Sequence, residues 1–237
     1  MKKTSKAIII TIIVLLSIAV IVLTCLLVIK EVRKCDYYEQ KCDSFEVQNA
    51  NLSKGQIVFI GDSITDLYKL DSYYADLDLA LYNRGIGADT TKGVKARLDV
   101  SIFDIEPSVI VLMIGTNDIN WGRSVKDTME TYHEIVEEIY AKLPEVKLYC
   151  MSVIPQNKDI EKYAPLSVDN NLKKIKELNK EIEGLAKEVS ATYLDLYSRL
   201  LDEEGYLDKE YSNDGLHLDH EGFVVWTELL KPYLLKK

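Results

Sequence analysis

A chain of 237 residues, 47% hydrophobic and 28% charged, is long enough for one α/β domain plus an appendage. A net charge of -9 with a pI near 5.0 offers no basic stripe to neutralise phosphates, which argues against nucleic acid as a partner. No motif repeats at a fixed period, and no stretch is of low complexity.

The first 29 residues differ from the rest. No charge interrupts Ala7–Ile29, a run dominated by Ile, Leu and Val, and about 20 such residues suffice for a helix to cross the hydrocarbon core. The run exceeds the apolar core of a cleavable signal, and Val28-Ile29-Lys30 lacks a small-x-small cleavage pattern. Residues 1–29 therefore read as an uncleaved signal anchor, a single transmembrane helix, with a cleaved signal as the lesser alternative. Lys2, Lys3 and Lys6 precede it, while Lys30, Arg33, Lys34 and Lys41 follow. The positive-inside count is close to a tie, and the favoured orientation puts the N-terminus inside and the main domain outside the cytoplasm.

Residues 30–54 are polar, acidic and poor in aliphatics, which suits a juxtamembrane linker. Cys35 and Cys42 lie within it, either closing a small disulfide loop in an oxidising compartment or standing as two thiols. Cys150 falls in an apolar run and reads as a core residue. No spacing resembles a zinc site, and neither a metal nor a cofactor is expected.

The domain, 55–237, begins with Ile57-Val58-Phe59-Ile60, an apolar run without alternation that enters Gly61-Asp62-Ser63. Such a run reads as a central strand buried on both faces and ending in a sharp turn. Further strands are expected at Leu79–Asn83, Val109–Ile114, Val146–Val153 and Thr192–Leu196. Helices are expected at Thr90–Phe103, Ser124–Lys142, Asn170–Val189 and Gly222–Leu235. This alternation specifies a parallel sheet of about five strands with helices on both faces. All strands then end on one edge, where Ser63, the Gly85–Asp89 loop and Asn117 converge.

Ser63 could simply cap the next helix with Asp62, or serve as a nucleophile if a base and an oxyanion site exist elsewhere. Three histidines can supply the base. His133 sits beside Glu134 and Glu137 on a long helix, where a solvated role fits, and His220 falls in the first turn after an Asp219 cap. His217 lies three residues after Asp214, close enough in a turn for the carboxylate to orient the imidazole. Asn117, leaving a buried strand through Gly115-Thr116, offers an amide NH2 to an oxyanion. Gly85-Ile86-Gly87 lacks the third glycine of a dinucleotide fingerprint and follows the second strand rather than the first.

Gly61-Asp62-Ser63-Ile64, Gly115-Thr116-Asn117-Asp118 and Asp214-Gly215-Leu216-His217 resemble three blocks of the SGNH (GDSL) hydrolase family, in the family's order. Asn83–Thr91 resembles the remaining block, near the acetylhydrolase and carbohydrate-esterase members, and the match spans about Gln56 to Leu234. The resemblance implies a flavodoxin-like three-layer α/β/α sandwich and metal-free ester hydrolysis. It makes Ser63 the nucleophile, His217 the base, Asp214 its partner and Asn117 an oxyanion donor, with backbone donors from Gly87 or Ala88. The family usually has glycine where Ala88 stands. Alanine keeps the N–H at negative φ, but a positive φ would cost about a kcal/mol or more.

The expected substrates are short acyl (O-acetyl) esters of glycans or small molecules. A lysophospholipase or thioesterase acting on long acyl chains is the alternative, and a non-catalytic binding module ranks lower, since Ser63, Asp214 and His217 are all present.

Overall fold

The computed structural model describes residues 2–78, 80–160 and 167–235. It divides into two compact units, Met1–Ser44 and Phe45–Lys237.

The first unit consists of one helix, α1, which spans Lys2–Asn49 and so also supplies the opening residues of the second. Within α1, Ile12–Ile29 has a mean hydropathy of 3.4 and no buried side chain, and is long and apolar enough to cross a membrane. The expected linker at 30–54 is helical as far as Asn49. The physical reason is composition: the chain contains neither glycine nor proline before Gly55, so nothing breaks the helix. The side chain of Cys35 lies outside the described residues, and with it the pairing considered for Cys35 and Cys42.

In the second unit five strands, β1 (Ile57–Gly61), β2 (Leu81–Gly85), β3 (Val109–Met113), β4 (Lys147–Met151) and β5 (Thr192–Leu194), form one sheet in the order β2-β1-β3-β4-β5. Every neighbouring pair is parallel. Helices α2 (Ser63–Asp66) and α3 (Leu70–Tyr73) follow β1, and α4 (Thr91–Ala96) and α5 (Leu98–Ser101) follow β2. Next come α6 (Thr116–Asn120) and α7 (Val125–Lys142) after β3, α8 (Val168–Glu188) after β4, and the closing helix α9 (His220–Leu234).

Strand pleating explains the three layers. Val58 and Ile60 of β1, with Ile110, Leu112, Leu148 and Cys150, pack into the core shared with α4, α7 and α8. Ile57 and Phe59, with Val111, Met113, Tyr149 and Met151, pack into the opposite core under α2, α3 and α9. Successive side chains point to opposite faces, so an unbroken apolar run is what a strand covered on both sides requires. The architecture is the expected α/β/α sandwich with five parallel strands.

β4 and β5 end at Met151 and Leu194, short of the expected Val153 and Leu196, and two elements differ further. β2 runs from Leu81 to Gly85 rather than from Leu79 to Asn83, and Leu79 lies outside the described residues. Thr90–Phe103 is not one helix: it breaks at Arg97 (φ -118°), whose side chain turns inward as a buried cation. The order 2-1-3-4-5 reverses direction between β1 and β3. Loops leaving those strands diverge there and open a crevice at the carboxyl edge. Ser63 and Asn117 follow these two strands.

Candidate active site

β1 stops at Gly61 for steric reasons. A Cβ there would sit 2.2 Å from the Met113 carbonyl and 2.3 Å from Thr65 Oγ1, so only glycine passes. Asp62 then caps α2, its Oδ1 accepting the Ile64 N–H at 3.0 Å, and Ser63 is the first residue of the helix. Asn83 of β2 fastens this turn, donating to the carbonyls of Thr65 (2.6 Å) and Tyr68 (2.9 Å).

Ser63 Oγ lies 2.9 Å from His217 Nε2, and His217 Nδ1 lies 2.8 Å from Asp214 Oδ2. With Nδ1–H donated to the carboxylate, Nε2 is left to accept the Ser63 hydroxyl proton. The three-residue spacing works because Asp214 Oδ1 also accepts the N–H groups of Leu216 (2.9 Å) and His217 (2.7 Å), folding the segment back on itself. Gly215 permits that fold: its φ is +83°, and a Cβ would meet the Asn157 carbonyl at 2.7 Å. Ser212 staples the loop from below, donating to the His217 carbonyl at 2.7 Å and accepting the Gly215 N–H at 2.9 Å. Burial works to raise the Asp214 pKa, but the His217 N–H, the imidazole and the Leu216 N–H together hold this carboxyl below its usual range.

Asn117 enters through Gly115, whose φ of +132° turns the chain from β3 into α6. Its side-chain amide donates to the Asp89 carbonyl at 2.8 Å. One amide hydrogen therefore positions the side chain against the β2 loop, and the second remains for a ligand. Asp118 reinforces the join, accepting Thr91 N–H (2.9 Å), Thr91 Oγ1–H (2.7 Å) and Arg123 Nη1 (2.9 Å).

The β2 loop places Gly87 and Ala88 beside this join. Ala88 has φ +62°, the left-handed branch of the expectation, whereas Gly87 is not at positive φ. The Asp89 N–H closes the turn onto the Ile86 carbonyl at 3.2 Å, and a turn of this kind places its left-handed residue at the third position. Alanine therefore stands where glycine is favoured, at about 1 kcal/mol of strain. Among the described residues, the N–H groups of Gly87 and Ala88 have no backbone acceptor. Ser63, opening α2, carries an orphan N–H of the kind every helix start leaves.

Sequence reasoning missed the buried polar frame under the site. Arg97 donates to Asp89 Oδ2 (2.8 Å), Ser101 Oγ (2.9 Å) and the carbonyls of Arg84 (2.8 Å) and Gly61 (3.0 Å). It thereby ties the ends of β1 and β2 to the loop carrying Ala88. An arginine in an amphipathic segment reads as a surface residue, and its only sequence signal is that the loop carboxylate of Asp89 needs a partner. Asp62 is also buried, and burial pushes its carboxyl up to about 7 against the ordinary 3.8. The other two histidines stand apart from the Ser63–His217 pair: His133 is half-buried on α7, and His220 Nδ1 lies 3.0 Å from the Tyr73 hydroxyl.

A parallel α/β/α sandwich with a hydrogen-bonded Ser–His–Asp series at its carboxyl edge has the layout of serine hydrolases. Within that class, residues 59–224 match the GDSL-like lipase/acylhydrolase family, and the chain belongs to it. It is an ester-bond hydrolase. It is 23% identical over 168 residues to an acetylxylan esterase of Geobacillus stearothermophilus, covering 59% of this chain and 75% of the relative. A solved structure from Streptococcus pneumonia, described as a platelet activating factor, superposes with a TM-score of 0.80 at 27% identity, covering 87% of this chain and 96% of that one. A GDSL-like lipase from Bacteroides thetaiotaomicron shares the fold, with a TM-score of 0.72, 22% identity and coverage of 81% and 96%.

Proposed function

We propose that this chain is a membrane-anchored serine esterase that removes short acyl groups, chiefly O-acetyl, from glycans or small molecules through an acyl-enzyme. The observation that carries this reading is the unbroken relay from Ser63 Oγ to His217 (2.9 Å) to Asp214 (2.8 Å). His217 takes the hydroxyl proton as Ser63 attacks the ester carbonyl. The second amide hydrogen of Asn117 and the N–H groups of Ser63 and the Gly87–Ala88 loop hold the oxyanion. Asp214 stabilises the imidazolium, which then protonates the leaving alcohol. Water activated by the same imidazole releases the acid and restores Ser63.

The acetyl preference draws support from the acetylxylan esterase relative. Residues 1–29 serve as the anchor, with the catalytic domain outside the cytoplasm. A long acyl chain is the second reading; a cavity of about 420 Å3 offers it Leu67, Tyr73, Leu218 and Phe223, interspersed with Lys69, Ser72, Asp219 and His220.

The test is hydrolysis of p-nitrophenyl esters from acetate to palmitate by the full chain and its Ser63→Ala variant. Activity that peaks at acetate and is lost in the variant is expected. A peak at palmitate replaces the acetyl reading with the long-chain one, and activity equal to the variant's on every ester rejects the esterase.

A further inference from the structure

The last turn of α1, which belongs to the second unit, carries Phe45, Gln48 and Asn49 at i, i+3 and i+4, the spacing of one helix face. All three meet Arg84, the penultimate residue of β2. Its buried guanidinium donates to Gln48 Oε1 and Asn49 Oδ1 at 2.8 Å each and lies 4.6 Å from the Phe45 ring. Asn49 has a second hold, because its Nδ2 donates to the Val100 carbonyl of α5 at 2.7 Å. One amide thus grips both β2 and α5.

Arg97, at the residue before α5, joins the same two elements from inside. It donates to the Arg84 carbonyl and to Asp89 Oδ2, both at 2.8 Å. Asp89 in turn closes the turn around Ala88 with its N–H, and its carbonyl accepts the Asn117 amide at 2.8 Å. The hydrogen bonds therefore run from Asn49 to Arg84, Arg97, Asp89 and Asn117, and two of these residues are buried guanidinium groups. A planar guanidinium held at two or more of its nitrogens has little freedom to reorient. Ala88, at φ +62°, is the kind of left-handed residue that persists only where its surroundings over-determine it.

We infer that Phe45, Gln48 and Asn49 are positioning residues of the esterase: through Arg84 and Arg97, the last turn of α1 sets the place of the Ile86–Asp89 loop and of the Asn117 amide. The helix that carries the apolar N-terminal segment is then part of the catalytic apparatus as well as a tether. The inference rests on the esterase reading for its effect on rate, but not for its effect on the loop.

The test uses the full chain in detergent and its Arg84→Met variant, which leaves no buried charge behind. Arg84→Met is expected to lower kcat on p-nitrophenyl acetate about tenfold with KM unchanged, the mark of a misplaced transition-state donor. Gln48→Glu, which keeps an acceptor for Nη1, is expected to retain the parental kcat. In an Asn117→Ala background the same Arg84→Met change is expected to cost about twofold or less, because both changes act on one site. Hydrogen exchange of peptides covering residues 86–91 is expected to quicken about tenfold in Arg84→Met, with β4 and β5 unchanged. Where Arg84→Met does not fold, Asn49→Ala replaces it in each comparison. A parental kcat in the folded variant overturns the inference. So does a tenfold loss undiminished by Asn117→Ala, which would make the last turn of α1 a support for the fold alone. If the parent hydrolyses no ester, the esterase reading fails, and unchanged exchange at residues 86–91 overturns the positioning by itself.

Discussion

Arg84 carries the sharpest energetic prediction. Its guanidinium is 1% exposed and sits in the second unit under the last turn of α1. Nη1 donates to Gln48 Oε1 at 2.8 Å, Nη2 donates to Asn49 Oδ1 at 2.8 Å, and the group lies 4.6 Å from the Phe45 ring. Burial, together with repulsion from Arg97, lowers its pKa to about 10, so it is still charged at neutral pH. The perturbation is the double variant Gln48→Ala/Asn49→Ala, which removes both acceptors and leaves the cation in place. Hydrogen bonds to a charged donor contribute about 1.5–3 kcal/mol each, so the expected loss is about 3–6 kcal/mol. That is a large part of the 5–15 kcal/mol that stabilises a typical domain, and about 6–24 °C in Tm. The assay is thermal unfolding of the full chain in detergent, followed by near-ultraviolet circular dichroism. Arg84→Met in the same background should recover most of the loss, because an apolar side chain leaves no buried charge unpaired. A shift below about 2 °C in the double variant would refute the reasoning, since each kcal/mol should move Tm by roughly 2–4 °C. It would show that water reaches the guanidinium and that residues 45–49 are dispensable.

The remaining predictions concern the site. Ala88→Gly should raise stability by about 1 kcal/mol, read from the unfolding midpoint, because it relieves a left-handed alanine at φ +62°. Asp62 keeps its proton up to about pH 7 when folded, while the unfolded chain loses it near 3.8. The folded state therefore binds more protons between those values, and stability should fall as pH rises through that window, by about 4 kcal/mol at most. Asp62→Asn retains an acceptor for the Ile64 N–H and cannot titrate, so its urea midpoint should fall less steeply from pH 4.5 to 7.5 than that of the parent. Asp214 acts in the opposite sense: its depressed carboxyl contributes stability above 3.8 that is lost only as pH falls through its folded value. Asn117→Ala should lower kcat on p-nitrophenyl acetate by about 10²–10³-fold with little change in KM, the signature of a donor that acts in the transition state.

The fold was legible because its signals are local. Ile57–Ile60 and Val109–Ile114 are apolar without alternation, which only a strand buried on both faces requires, and Met129 to Ile139 repeat at helical spacing on α7. Ser63, Asp214 and His217 could be paired from sequence because Asp214 and His217 stand three apart within one turn. What escaped was non-local. The strand order follows from packing, and the break at Arg97 follows from what its guanidinium meets: Asp89, eight residues earlier, and the carbonyls of Gly61 and Arg84. The end of α1 escaped for the same reason, because a polar, acidic stretch looks like a linker until Arg84 is placed beneath Phe45, Gln48 and Asn49. The left-handed φ of Ala88 was posed by the sequence as a choice between two signs, and the turn closed by Asp89 N–H decides it.

The central claim is that His217, oriented by Asp214, activates Ser63, and covalent labelling tests it most directly. The full chain would be incubated with a fluorophosphonate, digested, and mapped by mass spectrometry. The account predicts a single phosphonylated serine, Ser63, with labelling slowed at least a hundredfold in His217→Ala. A label distributed over several serines, or one on Ser63 that forms equally fast without His217, would contradict it.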